Sequence, residues 1–378
     1  MQKFFEDFKS ELKAQSQLWE QNDKKGSGKT MIKLLLFPLV IIMFTPTLHA
    51  ENNSKLTYLD EDINIMSLAA TKNIAIVSGR KTVADQSMPA IYISKKIGQW
   101  KELKLPQSFE VNNYSYGEVT TQKEWFYLSL KKKSGINKPL FLMSKDGVNW
   151  NKAETLHKYR STWGVIESYK ISKEKIQVLW DGSSYMLYNS DHQLPIPVWQ
   201  SITSVDNLAL DNVTFNSYCV TKEKMFISHG ASGGRGPTPI AYSSSLYHWK
   251  YPTLLRPDSK SGNKIYRLSC LKDGTVVGTG NSDGVFFDNP NIRGMIIYSN
   301  IDKNGNISWE RKFTLHPIND GAVKHRQLFT VGWNKNSRAY FFGEKPLPQK
   351  MRDPKIAVND RAIIASNNLI YEEALAGK

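Results

Sequence analysis

The chain has 378 residues, of which 40% are hydrophobic and 11% aromatic, so it is too long for one small domain and has ample material for a folded core. It carries 50 Lys and Arg against 35 Asp and Glu, a net charge of +15. This excess favours anionic partners such as lipid headgroups, acidic glycans, nucleic acid or an acidic protein, although a plain basic surface has the same composition.

Two segments precede the body of the chain. Residues 31–50, MIKLLLFPLVIIMFTPTLHA, place a lysine, an apolar run and a small residue in the order of a secretory signal peptide that is cleaved after Ala50. The apolar run is short for a bilayer span, so we expect no stable membrane anchor and a periplasmic or secreted protein. Residues 1–30 form an N-terminal extension. Either translation starts at Met31 and the extension is absent, or the extension is a cytoplasmic tail.

One phrase recurs in the body, an apolar strand that ends in Ser and is followed by a turn and a Trp. In three copies the Trp lies six positions after the Ser, at Ser94 to Trp100, Ser144 to Trp150, and Ser243 to Trp249. The tryptophans that close successive copies, at positions 100, 150, 199, 249 and 309, are separated by 50, 49, 50 and 60 residues. A period of this size, filled with strands, indicates a propeller or a β-solenoid.

Residues 60–376 divide into six units, each with four runs of alternating apolar residues bounded by turn residues. The first unit is INIMSLAA, NIAIVSG, AIYIS and QWKEL, and the last is HRQLFTVGW, RAYFFGE, RAIIAS and LIYEEAL. We therefore predict an all-β fold, a six-bladed β-propeller of four-stranded antiparallel blades, as a single domain over residues 51–378. The repeated Trp residues are expected to pack between blades. The sequence leaves open whether the first strand completes the last blade as a closing clasp.

The phrase SKDGVNW resembles the Asp-box, or BNR repeat, of sialidase-like propellers, with Ser144, Asp146, Gly147 and Trp150 in its structural positions. The other copies are poorer: SKKIGQW lacks the Asp, and SSSLYHW lacks both Asp and Gly. For an active sialidase the resemblance implies three arginines around the substrate carboxylate, a Tyr nucleophile activated by a Glu, and an Asp as acid and base. The Arg-Ile-Pro phrase of the first blade is missing here, so no catalytic residue is assigned.

No metal site or cofactor is expected, because the histidines are dispersed without paired spacing. Glu372 and Glu373 are interpreted as ordinary surface acids. Cys219 and Cys270 occupy matching places in adjacent units. They either form a disulfide between neighbouring blades or remain two buried thiols.

The loops between the second and third strands of each unit all open on one face of a propeller, beside the central channel. We call this the loop face. Five of the six loops are longer than a hairpin needs, and such loops commonly carry function. They include the cationic run Lys131–Lys133 and hold the following candidate binding residues: Arg80, Arg235, Asp283, Phe286, Phe287, Arg293, Lys350 and Arg352.

A cationic rim with exposed aromatic residues suits a protein partner or an acidic glycan. The leading hypothesis is an exported, monomeric, non-enzymatic propeller that binds through its loop face, such as an immunity or inhibitor protein against a toxin or hydrolase. No nucleic-acid partner is expected. The alternative is a divergent sialidase-like glycoside hydrolase or a glycan-binding protein, with Asp283, Asp288, Asp353 and Asp360 as candidate acids.

Overall fold

Strands account for nearly all the regular structure of the described chain. The computed structural model describes residues 54–132, 138–158, 161–171, 173–198, 214–228, 240–250, 264–282, 293–301, 306–314, 316–324, 327–334 and 339–375. Within these residues the other regular elements are two 3₁₀ turns, Gln107–Phe109 and Val111–Asn113. The predicted extension 1–30 and signal peptide 31–50 lie outside them, so both stay predictions. No helix among the described residues is long and apolar enough to cross a membrane.

The strands form seven antiparallel sheets, and the first strand of the chain, β1 (Ser54–Tyr58), belongs to the last of them. Blade 1 comprises β2 (Ile63–Ala70), β3 (Ala75–Val83), β4 (Gln86–Ser94) and β5 (Trp100–Glu102). Blade 2 comprises β6 (Tyr114–Gln122), β7 (Trp125–Lys132), β8 (Leu140–Ser144) and β9 (Asn151–Lys152). Blade 3 comprises β10 (Thr155–Lys158), β11 (Ser161–Ile171), β12 (Glu174–Trp180), β13 (Tyr185–Asn189), β14 (Leu194–Pro195) and β15 (Thr214–Phe215).

The remaining four sheets continue the ring. Blade 4 comprises β16 (Ser217–Val220), β17 (Met225–Ser228) and β18 (Ile240–Ser243). Blade 5 comprises β19 (Lys264–Cys270), β20 (Val276–Ser282), β21 (Arg293–Ile301) and β22 (Ile307–Thr314). Blade 6 comprises β23 (Ile318–Lys324), β24 (Gln327–Asn334), β25 (Ala339–Phe342) and β26 (Lys345–Pro346). Blade 7 comprises β27 (Lys355–Val358), β28 (Arg361–Ser366), β29 (Leu369–Ala374) and β1.

The all-β propeller of antiparallel, mostly four-stranded blades is confirmed, but the prediction of six blades is wrong because the structure has seven. The last predicted unit merged strands of blades 6 and 7. Its errors lie at strands with weak sequence signals: β23 reads INDGAVK, and β26 and β27 have two and four residues. Gly321 in β23 is required by close packing, since a Cβ there would lie 2.7 Å from the Thr279 side chain of blade 5. Such a strand forms through contacts with its neighbours rather than through β-propensity.

Each blade is buried on both faces, and this explains the apolar runs in its middle strands. All six residues of β28, RAIIAS, are buried, as are the first five of β3, AIVSG. One of the repeated Trp residues, Trp309 of blade 5, packs between blades and meets Phe226 of blade 4 edge-on, with ring centroids 6.1 Å apart. Burial of two faces per sheet makes the neighbouring blade part of every blade's core.

The inner strands are joined to one another by side-chain hydrogen bonds. The backbone N–H of Val119 donates to Ser67 of the preceding blade at 2.7 Å. In the same way the N–H of Leu268 donates to Ser217 at 3.0 Å. Polar side chains near the axis therefore satisfy backbone groups that no sheet hydrogen bond reaches.

The turn that opens the phrase SKDGVNW is built by its own side chains. The Asp146 carboxylate accepts the backbone N–H groups of Asn149 at 2.8 Å and Val148 at 2.9 Å. These bonds hold the pKa of Asp146 well below its usual range, and the bond from Asn149 contributes most. Gly147 has a left-handed φ of +72° and donates its N–H to Ser144, while the buried Trp150 indole donates to the Gly147 carbonyl at 3.1 Å.

Ring closure depends on β1 and on one buried ion pair. β1, a strand that the sequence did not predict, pairs with β29 from Ser54↔Glu373 to Tyr58↔Leu369 and completes the last blade, whereas the predicted first strand INIMSLAA is β2 and stays in blade 1. Glu372, interpreted from sequence as a surface acid, is fully buried, and its carboxylate accepts from Arg361 Nε at 2.7 Å. The same carboxylate accepts the Gly98 N–H at 2.6 Å and the Trp100 indole at 2.9 Å, so blade 7 holds the outer turn of blade 1.

Replacing Arg361 with Met leaves the Glu372 carboxylate buried without its cation. We expect the free energy of unfolding to fall by about 3–5 kcal/mol. The control is Lys145→Met, which breaks an ion pair with Glu124 in which both side chains are exposed, and should cost about 0–1 kcal/mol. Denaturant unfolding of both variants tests this, and equal losses would show that the buried pair does not hold the ring.

The two cysteines are joined in the structure. Cys219 of β16 and Cys270 of β19 form a disulfide between the inner strands of blades 4 and 5, with their Cα atoms 5.5 Å apart. Both cysteines pack against the apolar cluster between blades 4 and 5. The disulfide closes a loop that spans most of blade 4.

The double variant Cys219→Ser, Cys270→Ser is expected to lose about 2–4 kcal/mol of unfolding free energy, because the cross-link constrains the unfolded chain. Reductant should lower the stability of the wild type to the same level and leave the double variant unchanged. A wild-type protein whose stability does not respond to reductant, although its thiols become open to alkylation, would contradict this expectation.

Candidate functional site

The central channel contains a cavity of about 280 Å³. Most of its lining comes from the C-terminal halves of inner strands, so it lies towards the end of the channel where those strands turn into the second strand of each blade. We call that end the turn face. The lining residues are Leu68–Ala70, Val119–Gln122, Tyr185, Ser217, Tyr218, Arg267–Ser269, Ala322, Val323, Ala357 and Val358. The cavity therefore lies away from the loop face.

The charged residues of the channel follow β-bulges. The registers of β11, β19 and β23 each shift by one residue, directly before Glu167, Arg267 and Asp320. A bulge rotates the next side chain out of the regular alternation and re-aims it. This local device turns three charged side chains of otherwise apolar strands towards the axis.

Glu167 is buried and has three partners. Its carboxylate accepts from Gln122 Nε2 at 2.6 Å and from the Tyr218 hydroxyl at 3.2 Å, and pairs with Lys123 Nζ at 2.7 Å. Blades 2, 3 and 4 meet at this carboxylate.

The Tyr218–Glu167 contact has the residue types of a sialidase nucleophile and its base, but the electrostatics oppose that role. Burial, followed by the nearby Glu167 carboxylate, raises the pKa of Tyr218 well above its usual value. A phenol in this environment stays protonated and donates its hydrogen bond, whereas a nucleophile needs a lowered pKa or a base that removes its proton. Tyr185 packs edge-on against Tyr218 with ring centroids 5.3 Å apart and fills the space beside it.

Among the described residues, one arginine lines the cavity, Arg267. Its Nε lies 3.4 Å from Asp320 Oδ1, and its Nη1 donates to the Ile356 carbonyl at 3.2 Å. Asp320 also accepts the Ile356 N–H at 3.0 Å, so the pair joins blades 5, 6 and 7. A single arginine already paired with a carboxylate is not the three-arginine clamp of a sialidase.

Glu118 of β6 is the carboxyl whose pKa comes nearest to neutral. Burial raises it from 4.5 to about 7, Lys131 opposes this shift, and Asp181 adds to it. Lys131 donates to the Asp181 carbonyl and so bridges blades 2 and 3 next to Glu118. A carboxyl that titrates near neutral pH is a feature of catalytic acids, although structural clusters produce it too.

The predicted loop-face residues divide into three groups. Arg80 lies in β3, not in a loop, because β3 and β4 continue as a regular hairpin to a two-residue turn at Ala84 and Asp85, both with positive φ. Lys350 and Arg352 are exposed in the connection between β26 and β27, and Arg293 begins β21. Arg235, Asp283, Phe286, Phe287 and the candidate acid Asp288 lie outside the described residues.

Two of these residues, Lys350 and Arg352, lie close to the seam between blades 1 and 7. Arg80 lies on the other side of β3, the side from which Ser78 donates to the Gly117 carbonyl of blade 2. Lys81, next to Arg80, pairs with Asp60, and the adjoining Leu59 N–H donates to Asn368 O at 2.9 Å. The neighbouring Asn367 donates to the Lys350 carbonyl at 3.1 Å. The Arg352 N–H donates to Ser366 at 2.6 Å. Hydrogen bonds thus hold Lys350 and Arg352 beside the end of β28, and the cation that blade 1 contributes to this seam is Lys81.

The candidate acids Asp353 and Asp360 do not share a rim. Asp353 precedes β27 and accepts the Tyr340 hydroxyl at 3.1 Å, whereas Asp360 follows β27 in the turn to β28. The long loop predicted around them contains β26 and β27, and a strand that crosses the blade puts its two ends on opposite faces. In the part of the chain that the structure describes, no group of three or more His, Cys, Asp or Glu residues is placed to hold a metal ion.

Sequence reasoning missed the channel residues Glu167, Tyr218, Arg267 and Asp320. A signal was present, since charged residues stand inside apolar inner strands, as in GVIESYKI and IYRLSCL. Alternation alone assigns such residues to the solvent side, because the bulge that re-aims them is invisible in the pattern.

The fold defines the chain as a seven-bladed β-propeller, and no known family and no curated protein matches its sequence. Among solved structures it is similar to Sqt1 of Chaetomium thermophilum, with 10% identity and a TM-score of 0.44 over 86% of this chain and 98% of that one. The β-propeller domain of the trilobed protease from Pyrococcus furiosus has 9% identity and a TM-score of 0.44, over 84% and 97%. An ulvan lyase has 11% identity and a TM-score of 0.40, over 84% and 94%. These similarities concern the fold alone.

The raised pKa of Glu118 predicts a pH dependence of stability. Its folded-state value of about 7 exceeds the unfolded value of 4.5, so the folded state holds the proton more tightly and stability falls as the pH rises from 4.5 to 7. Glu118→Gln should remove this loss. Its free energy of unfolding should exceed that of the wild type by about 1–3 kcal/mol at pH 8 and by much less at pH 4. Denaturant unfolding across this range measures it, and parallel profiles of the two proteins would contradict it.

Proposed function

We propose that this protein is an exported, non-enzymatic binding propeller that recognises an acidic protein surface through its loop face. The observation that carries the proposal is the position of Lys350 and Arg352 at the seam between blades 1 and 7, together with the exposed Arg80 of blade 1. All three side chains are exposed. Cationic side chains held on a rigid frame steer and orient an acidic partner.

The disulfide supports export. A bond between Cys219 and Cys270 persists in an oxidising compartment and is rare in the cytosol, which agrees with the signal-like segment at residues 31–50. A compact propeller stapled between two blades suits a periplasmic or secreted inhibitor or immunity protein. The proposed inhibitor or immunity role is supported by the signal-like segment at residues 31–50 and by the basic loop face together.

The channel supports binding over catalysis. Its carboxylates Glu167 and Asp320 are each held by partners from neighbouring blades, and its phenol Tyr218 has a raised pKa. These groups stabilise the ring, and a reacting group would need to be free to change its proton or partner. The alternative, a divergent glycosidase or a glycan-binding protein, is favoured by Glu118, whose pKa of about 7 would suit an acid catalyst.

The test is affinity capture from the secreted or periplasmic fraction with the exported protein as bait. We expect a stoichiometric partner whose affinity falls roughly tenfold or more in Arg80→Glu, Lys350→Glu, Arg352→Glu, because rim charges set the rate of association. The matched control, Lys101→Glu, Lys152→Glu, Arg311→Glu, makes the same charge change on outer strands and should retain the partner.

Two results would overturn the binding proposal. One is the recovery of no stoichiometric partner, or an equal loss in both variants. The other is turnover of a fluorogenic sialoside or another glycoside that Glu118→Gln abolishes, which would favour the hydrolase.

A further inference from the structure

The turns between the first and second strands of the blades surround the channel mouth on the turn face, opposite the loop face. In six of the seven blades a lysine stands at or directly before this turn, and these lysines recur at intervals of 49 to 52 residues. They are Lys72, Lys123, Lys173, Lys222, Lys272 and Lys324. The symmetry of the propeller therefore arranges them as a ring around the cavity, which we call the lysine ring.

The ring is largely exposed, and four of its lysines are followed directly in sequence by an acidic residue, namely Glu124, Glu174, Glu223 or Asp273. Lys324 is half-buried and the other five lysines are exposed. Only Lys123 forms a salt bridge with another described residue, Glu167, and 72% of its side chain remains exposed. Blade 7 has Asp360 in this place, and its carboxylate lies 3.4 Å from Arg361 Nη1. The six lysines outnumber these four acids and Asp360, and the exposed Lys95 and Lys96 in the turn between β4 and β5 add to the positive charge of the face.

Large apolar side chains are exposed on the same face. Of the nine exposed large hydrophobic residues among those described, six lie in or beside turns of this face: Trp125, Val148, Leu194, Val220, Tyr247 and Ile301. Two contacts confirm that both sets of turns share the face. Tyr247 bonds to Glu174 beside Lys173, and a Cβ on Gly274 beside Lys272 would lie 3.5 Å from Ile301.

The turns that carry the ring are short. They contain two to five residues, from Lys123 and Glu124 in blade 2 to residues 271–275 in blade 5. Because the blades repeat around one axis, their short turns together form a broad face from which no long turn of the ring projects. Such a face can approach a plane along its whole width.

We propose that the turn face binds the surface of an anionic lipid bilayer, with the lysine ring on the headgroups and Trp125 and its apolar neighbours in the interfacial layer. Lysines with Trp and aliphatic residues on one face are the composition of a peripheral membrane-binding surface. A soluble acidic glycan would use the charges but not the exposed apolar side chains. This proposal does not depend on the partner proposed for the loop face, which the bilayer would leave open to solvent.

The test is co-sedimentation of the exported protein with vesicles of phosphatidylcholine alone or with phosphatidylglycerol. We expect binding only to the anionic vesicles. Each lysine near the surface contributes about fivefold in affinity, so Lys72→Gln, Lys173→Gln, Lys222→Gln, Lys272→Gln should bind roughly 500-fold more weakly. The matched control, Lys104→Gln, Lys138→Gln, Lys312→Gln, Lys355→Gln, removes the same charge from exposed positions away from the turn face and should bind like wild type.

A second measurement reports the orientation. Brominated lipid should quench part of the tryptophan fluorescence on binding, and Trp125→Ala should lose most of that quenching while remaining folded. The lipid proposal is overturned by no binding to anionic vesicles or by equal losses in the ring and control variants. It is also overturned if the ring binds polygalacturonate or an acidic protein but not vesicles. None of these results bears on capture of a partner by the loop face.

Discussion

The structure depends on closure of the ring between blades 7 and 1. Every blade buries both faces, so an open ring would expose two apolar sheets at once. Closure comes from two contacts, the pairing of β1 with β29 and the buried Arg361–Glu372 pair, which also holds the outer turn of blade 1. A buried carboxylate is costly unless all its oxygens have partners, and Glu372 has three donors from two blades.

The channel follows from the same arrangement. Seven inner strands surround the channel, and the buried charged side chains beside it have partners in neighbouring blades. Glu167 joins three blades and the Arg267–Asp320 pair joins another three, both placed by bulges. These groups have the residue types of an active site, but their partners hold them in structural roles.

The two faces of the ring differ in chemistry because the repeat keeps the turns of one face short and regular, whereas the connections on the other face vary in length. On the turn face, short turns repeat a lysine at a period of about 50 residues and leave apolar side chains at their edges. On the loop face, the connection between β26 and β27 places Lys350 and Arg352 at the closing seam. The two proposed surfaces therefore differ, since one is a charge repeated around the ring and the other is local.

The sequence by itself determined the all-β propeller, the antiparallel hairpins and the Ser144–Trp150 turn, because a period near 50 and apolar alternation are local properties of the chain. The spacing of the ring lysines can also be found in the sequence, but only the structure shows that these lysines lie in turns on one face of the ring. Tertiary structure alone decided the seventh blade, since β23, β26 and β27 are stabilised by neighbouring blades rather than by their own residues. It also decided the burial of Glu372 and the inward turn of Glu167 and Arg267, because ring closure and β-bulges place these charges where alternation would have put them in solvent.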